Sequence, residues 1–268
     1  MARVRVTLLI AVLLSLAGCS ALLDFNAFKS LDTPPAPKAS DYEGPGGLAK
    51  LSKDLSSAAV VDKLKADPTT TGQVETYLFT TYDIATFGDP LTATPDQQTA
   101  AALYADLYLA TTSGDHLVNN AVTALISMPS GSDIKTLISE IIPADVIHDQ
   151  AAFEAMVDGL LKAKVAYEHL GASLALPGVP PAGMNMGDVA QKAAVAYLMD
   201  AVVSAVETGS GGITQTAAAD QMYLLANDQP NTITTNVITV PAEPLKPSGT
   251  PIQELSNIFA AAGMAYPG

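Results

Sequence analysis

From Leu48 onward, apolar residues recur at helical spacing. Leu48, Leu51 and Leu55 share one face, and a break at Ser56-Ser57 precedes a second short helix carrying Val60, Val61 and Leu64. Thr71 to Tyr82 predicts a less favoured helix, because threonine and aromatic side chains lose rotamer freedom there, and Tyr77-Leu78-Phe79 suits a strand equally well. Thr94-Pro95-Asp96-Gln97 is a helix start. Threonine caps, proline fills the first helical position, and glutamine three residues after the cap closes the box. The helix it opens carries Leu103, Leu107 and Ala110 on one stripe, with Tyr104 and Tyr108 beside it, and stops near Ser113-Gly114. Asp115 is expected to cap a second helix to about Ser127, so that residues 95 to 127 form an antiparallel hairpin with a short turn.

Ser132-Asp133 caps another short helix that ends before Pro143. The longest predicted helix runs from about Asp149 to Leu174, with Phe153, Met156, Val157, Leu160, Ala163, Tyr167, Leu170 and Leu174 at helical spacing. Glu154, Asp158 and Lys162 step along its opposite face as a solvated ion-pair ladder. A proline- and methionine-bearing loop, Pro177 to Gly187, leads to a helix that Asp188 is expected to start and that runs to about Glu207. That helix is apolar nearly all round, which places it at the centre of a bundle. Lys192 and Asp200 interrupt it, so the alternative of a membrane span is disfavoured. After Gly209-Ser210-Gly211-Gly212, read as a linker, come a helix over about 214 to 226, a long segment from Asp228 to Pro251 with strand-like Thr232 to Val240, and a last helix over Ile252 to Gly263.

The pattern at the N-terminus is of another kind. Arg3 and Arg5 precede an apolar run from Val6 to Leu14, too short to span a bilayer, and Leu16-Ala17-Gly18-Cys19 follows. Cys19 is the single cysteine of the chain. These residues resemble the bacterial lipoprotein class, whose lipobox they match at all four positions. The resemblance implies cleavage after Gly18 and fatty acylation of Cys19. Two or three acyl chains, at about 0.8 kcal/mol per buried methylene, hold a soluble domain at a membrane without a transmembrane helix. Ser20, where inner-membrane members carry aspartate, implies sorting to the periplasmic face of the outer membrane. Residues 32 to 47, dense in proline and glycine, read as a tether between this anchor and the domain. The expected organisation is a cleaved signal over 1–18, an anchor and tether over 19–47, and one helical domain over 48–268.

Charge narrows the choice of partner. Without Arg3 and Arg5 the chain carries 11 basic against 27 acidic side chains, a net charge of −16, and only Lys246 is basic beyond Ala193. Nucleic acid, which needs clustered Lys and Arg to displace counterions, is excluded as a partner, and so is docking on anionic headgroups. Membrane lipid is met through acylated Cys19 instead. Charged residues are 15% of the chain, hydrophobic residues 49%, and tryptophan is absent, so the core is built from alanine, leucine and valine.

Familiar catalytic signatures are missing: no His-Glu-x-x-His, no Gly-x-Ser-x-Gly, no phosphate loop, and no cysteine beyond Cys19. No cofactor and no metal are expected. His116, His148 and His169 each adjoin an acid, but neighbouring positions on a helix face apart and make no dyad. Asp200 is the sharper candidate, because an acid inside an apolar helix must reach solvent or a partner, and Lys164 and Lys192 are the partners at hand. The absence of βαβ alternation leaves an all-α architecture, a bundle or short superhelical stack of helical hairpins. Ser113-Gly114-Asp115 resembles the inter-helix turn of tetratricopeptide repeats over that one hairpin, without a 34-residue period. The resemblance implies a protein-interaction scaffold.

Three functions follow as expectations, in order of preference. The first is a non-catalytic scaffold for an unknown envelope protein; Asp200, Tyr104, Tyr108, Met184 and Met186 are the candidate buried polar or ligand-contact residues, and exposure of the tyrosines and methionines along a groove would favour this scaffold. The second is a binder of a small apolar molecule, similar in architecture to helical lipoproteins of periplasmic transport systems. A hydrolase, with Asp200 and a histidine sharing a cleft, stands third.

Overall fold

Side chains close the helix starts. Thr94 Oγ1 accepts the Gln97 amide at 3.2 Å, and the Thr94 amide donates to Gln97 Oε1 at 2.9 Å. Asp67, Asp149 and Thr214 each accept the amide three residues on. At Asp67 the Thr70 amide and hydroxyl hold the carboxyl below its usual range. The computed structural model describes residues 35–84, 92–127, 134–175, 179–230, 245 and 249–266. The expected signal, Cys19, the Ser132-Asp133 cap and the strand-like Thr232 to Val240 lie outside them.

The fold is all-α, a bundle of short helical hairpins. A 310 turn, Ala39–Tyr42, precedes α1 (Gly47–Leu55), α2 (Ala58–Ala66), α3 (Pro68–Thr81), α4 (Pro95–Thr111) and α5 (Gly114–Ser127). Then come α6 (Ile134–Ile141), α7 (Gln150–Ser173), α8 (Met186–Gly209), α9 (Gln215–Ala226) and α10 (Gln253–Ala261). The helical outcome for α3 follows from its Asp67-Pro68 start and from Val74 and Leu78, which are buried on one face.

The centre is α7. It packs along α4, and also against α8, α9 and α10, with Phe153, Met156, Leu160, Ala163, Tyr167 and Leu170 wholly buried. The apolar helix α8 shares that centre. It is the one described helix long and apolar enough to cross a bilayer, and 67% of its apolar window is buried within the protein. Small residues permit the close approach of these helices: a Cβ at Gly171 would stand 2.3 Å from the Glu254 carbonyl oxygen of α10.

Three local expectations differ from the structure. The segment read as a tether joins the folded domain from Pro37, and the Tyr42 ring is 1% exposed, donates its hydroxyl to Asp54 at 3.1 Å and lies under the Lys50 ammonium. Asp188 does not start α8. Asn185 caps it through the Asp188 amide, which brings the helix start back to Met186. Asp115 lies within α5, not at its cap, for the turn is Thr112-Ser113, with Ser113 at φ 65° and its hydroxyl accepting from Lys65 Nζ at 2.8 Å. The 95–127 hairpin forms, but the main partner of α4 is α7 and not α5.

Candidate functional site

A cleft of about 660 Å³ opens between α1, α4 and the loop that leads into α8. Gly44-Pro45-Gly46 and Pro181 to Asn185 form its lips, and Leu48, Leu103, Met184 and Val189 its apolar walls. Gly46 and Gly183, at φ 83° and 84°, supply the left-handed turns that fold these lips back.

Charged groups lie deeper in the cleft. Lys192 Nζ donates to Asp106 Oδ1 on α4 and to Asp188 Oδ2 one turn before it on α8, both at 2.9 Å. Asp115, at the start of α5, lines the same floor. The Lys192 side chain is only 16% exposed and that of Asp106 only 26%. Burial pushes the Asp106 carboxyl above its usual range, with Lys192 pulling the other way, and Asp115 is raised for the same reason. Lys192 itself is raised by Asp106 and Asp188 against the opposing effect of its burial. One ammonium thus bonds two carboxylates, with a third, Asp115, within its electrostatic reach.

Lys192→Met should therefore cost about 2 kcal/mol, since it leaves Asp106 without its counter-charge beside Asp115 and Asp188. A fall in Tm of about 4–8 °C is expected by circular dichroism. An unchanged melting curve would dismiss the ion pair as a structural element. The acids impose a pH dependence of their own. A carboxyl whose pKa is raised on folding favours the fold when protonated, and that contribution is lost as pH rises through the raised pKa. Parent protein should gain stability relative to Asp106→Asn/Asp115→Asn as pH falls from 7 towards 4. A difference in Tm that stays constant across that range would contradict the raised carboxyls.

The residues singled out from sequence are dispersed. Met184 lines the cleft, whereas Met186 is buried at the start of α8. Tyr104 and Tyr108 are buried, so they do not supply the exposed groove that would favour a scaffold. They are 6% and 7% exposed, their rings 5.0 Å apart, with Phe79 packed over Tyr104 and Lys162 Nζ 4.8 Å from the centre of the Tyr108 ring. Burial, with Glu75 and Tyr104 beside it, pushes the Tyr108 hydroxyl far above the phenol range. Asp200 is not buried: its side chain is 39% exposed and lies 3.6 Å from Lys164, which also holds Glu168 at 2.6 Å. Lys164 is thus the partner of Asp200, and Lys192 belongs to Asp106.

No histidine joins Asp200 in a cleft. His148 Nδ1 lies 2.7 Å from Asn227 Oδ1, His116 is near Asp115, and His169, lowered by burial, has Glu168 and Asp83 as its charged neighbours. Among the described residues no group of three or more His, Cys, Asp or Glu is placed to hold a metal ion. Asp106 is the residue that sequence reasoning missed. Its signal was present, for it sits on the same stripe of α4 as Leu103 and Ala110, an acid amid apolar positions as Asp200 is on α8.

No protein-family model matches the chain, and neither a curated protein nor a solved structure is similar enough to match it.

Proposed function

We propose that this chain is a lipid-anchored protein of the bacterial envelope whose helical domain binds a small molecule, without catalysis, in the cleft between α1, α4 and α8. The cleft itself carries the reading: its volume of about 660 Å³ falls in the range of about 300–1,000 Å³ that ligand pockets occupy. Apolar walls over a few convergent polar groups suit recognition of one molecule. The scaffold alternative has less support, because the tyrosines that would anchor a partner are covered by Phe79 and Lys162.

Native mass spectrometry of the full chain, under conditions that retain ligands, tests the binding. A reproducible adduct of small-molecule mass should be present on the parent and missing from Ala49→Trp. Ala49 is exposed and lines the cleft, so the larger side chain plugs it without disturbing the core. A clean apo mass for both proteins would return the scaffold to first place.

The anchor is tested separately. Cys19→Ser should abolish fatty-acid labelling and move the protein to the soluble fraction. A chain that stays on the membrane, with neither form labelled, defeats the anchor and leaves the cleft untouched.

A further inference from the structure

The charged lining of the cleft is one-sided. Asp96, Asp106, Asp115 and Asp188 face it, and Lys192 is the single base among its lining residues. Lys192 does not offer its charge to a visiting anion, since Asp106 and Asp188 already engage it at 2.9 Å.

Resting on the reading of the cleft as a ligand site, we infer that the ligand is an organic cation, with a protonated nitrogen seated towards Asp106, Asp188 and Asp115 and an apolar body against Leu48, Leu103, Met184 and Val189. An anion of the same shape is repelled by the excess of carboxylates. A purely apolar molecule strips water from them with nothing in return, which is costly. A bare metal ion leaves the apolar walls and most of the volume unused, and the carboxylates are not grouped to share one. The apolar ligand expected from the sequence thus becomes an amphipathic one with a positive end.

Three probes of one shape test the inference: cyclohexylmethylammonium, cyclohexylmethanol and cyclohexanecarboxylate, titrated into the full chain with carbon-13 in its methionine methyls. The Met184 methyl reports occupancy of the cleft. The ammonium probe should bind at least tenfold more tightly than the carboxylate. Asp188→Asn, at a side chain that is 48% exposed and so expected to leave the fold intact, should weaken the ammonium probe at least threefold and the alcohol hardly at all. Ala49→Trp should abolish the Met184 response to the ammonium, which separates binding in the cleft from loose attraction to an acidic surface. A carboxylate that binds as tightly as the ammonium, or an ammonium indifferent to Asp188→Asn, overturns the inference and leaves the cleft standing as a ligand site. No Met184 response to any of the three overturns both.

Discussion

Gly171→Val is expected to destabilise the protein by about 3 kcal/mol or more. Gly171 lies where α7 meets α10, and its carbonyl accepts from Asn257 Nδ2 at 2.9 Å. A Cβ there would stand 2.3 Å from the Glu254 carbonyl oxygen and 2.6 Å from its carbon. Those are backbone atoms, so no rotamer change relieves the overlap. α10 must retreat, and with it Leu255, Ile258 and Phe259, all buried against the core. Each loses apolar contact worth about 25 cal/mol per Å² newly wetted. Gly159 offers the contrast within the same helix. A Cβ there meets only side-chain atoms of Thr112, the hydroxyl at 2.6 Å, so the overlap is relieved by moving one side chain at the cost of its hydrogen bond to the Tyr108 carbonyl, and Gly159→Ala should cost less. Urea denaturation of both variants checks the difference. Equal midpoints for the two would remove close backbone approach as the reason for glycine at 171.

Tyr42→Ala should cost about 3–4 kcal/mol, in line with the loss of other fully buried aromatic rings. The ring is the largest side chain that the N-terminal segment gives to the core, and three interactions hold it: burial, the hydrogen bond to Asp54 and the ammonium of Lys50 4.7 Å from its centroid. Burial and Asp54 push its ionisation far above the phenol range, so it stays neutral and keeps its proton for Asp54. Gly47 sets the turn that brings the ring in, since a Cβ there would meet the Tyr42 carbonyl oxygen at 1.9 Å. If residues 37 to 47 were a tether, the substitution would cost nothing. The urea midpoint of Tyr42→Ala, with the rate of proteolytic cutting between residues 37 and 47, distinguishes the two. No change in either restores the tether.

Some helix starts were legible in the sequence because their chemistry is local, although those expected at Asp115 and Asp188 fall elsewhere. Thr94 and Gln97 are three residues apart, as are Thr214 and Ala217, and each pair settles its own geometry. The all-α class followed from the same short-range signals. Partners separated by long stretches of chain were not legible. Lys192 and Asp106 are 86 residues apart, and nothing in their neighbourhoods names one for the other. Tyr42 was hidden by its prolines and glycines, which describe the backbone around it and say nothing about the cavity its ring fills. Tyr104 and Tyr108 look amphipathic in sequence, and only the fold supplies Phe79 and Lys162 to cover them. The cleft was not visible: Met184 stood out only within its apolar loop, and Asp106 carries no signal that ties it to Lys192 or to the loop before α8.

The 310 turn and α1 to α3 meet the remaining helices chiefly through α4, whereas α7 is gripped from several sides. In mechanical terms the first is a cover on one hinge board and the second a post set in a frame. A pull applied at the N-terminal edge of the domain is borne first by the cover, along its seam with α4. The cleft runs along that seam, with α1 on one side and α4 and the α8 loop on the other. Tension at that edge therefore strains the walls of the cleft before it reaches the interior around α7.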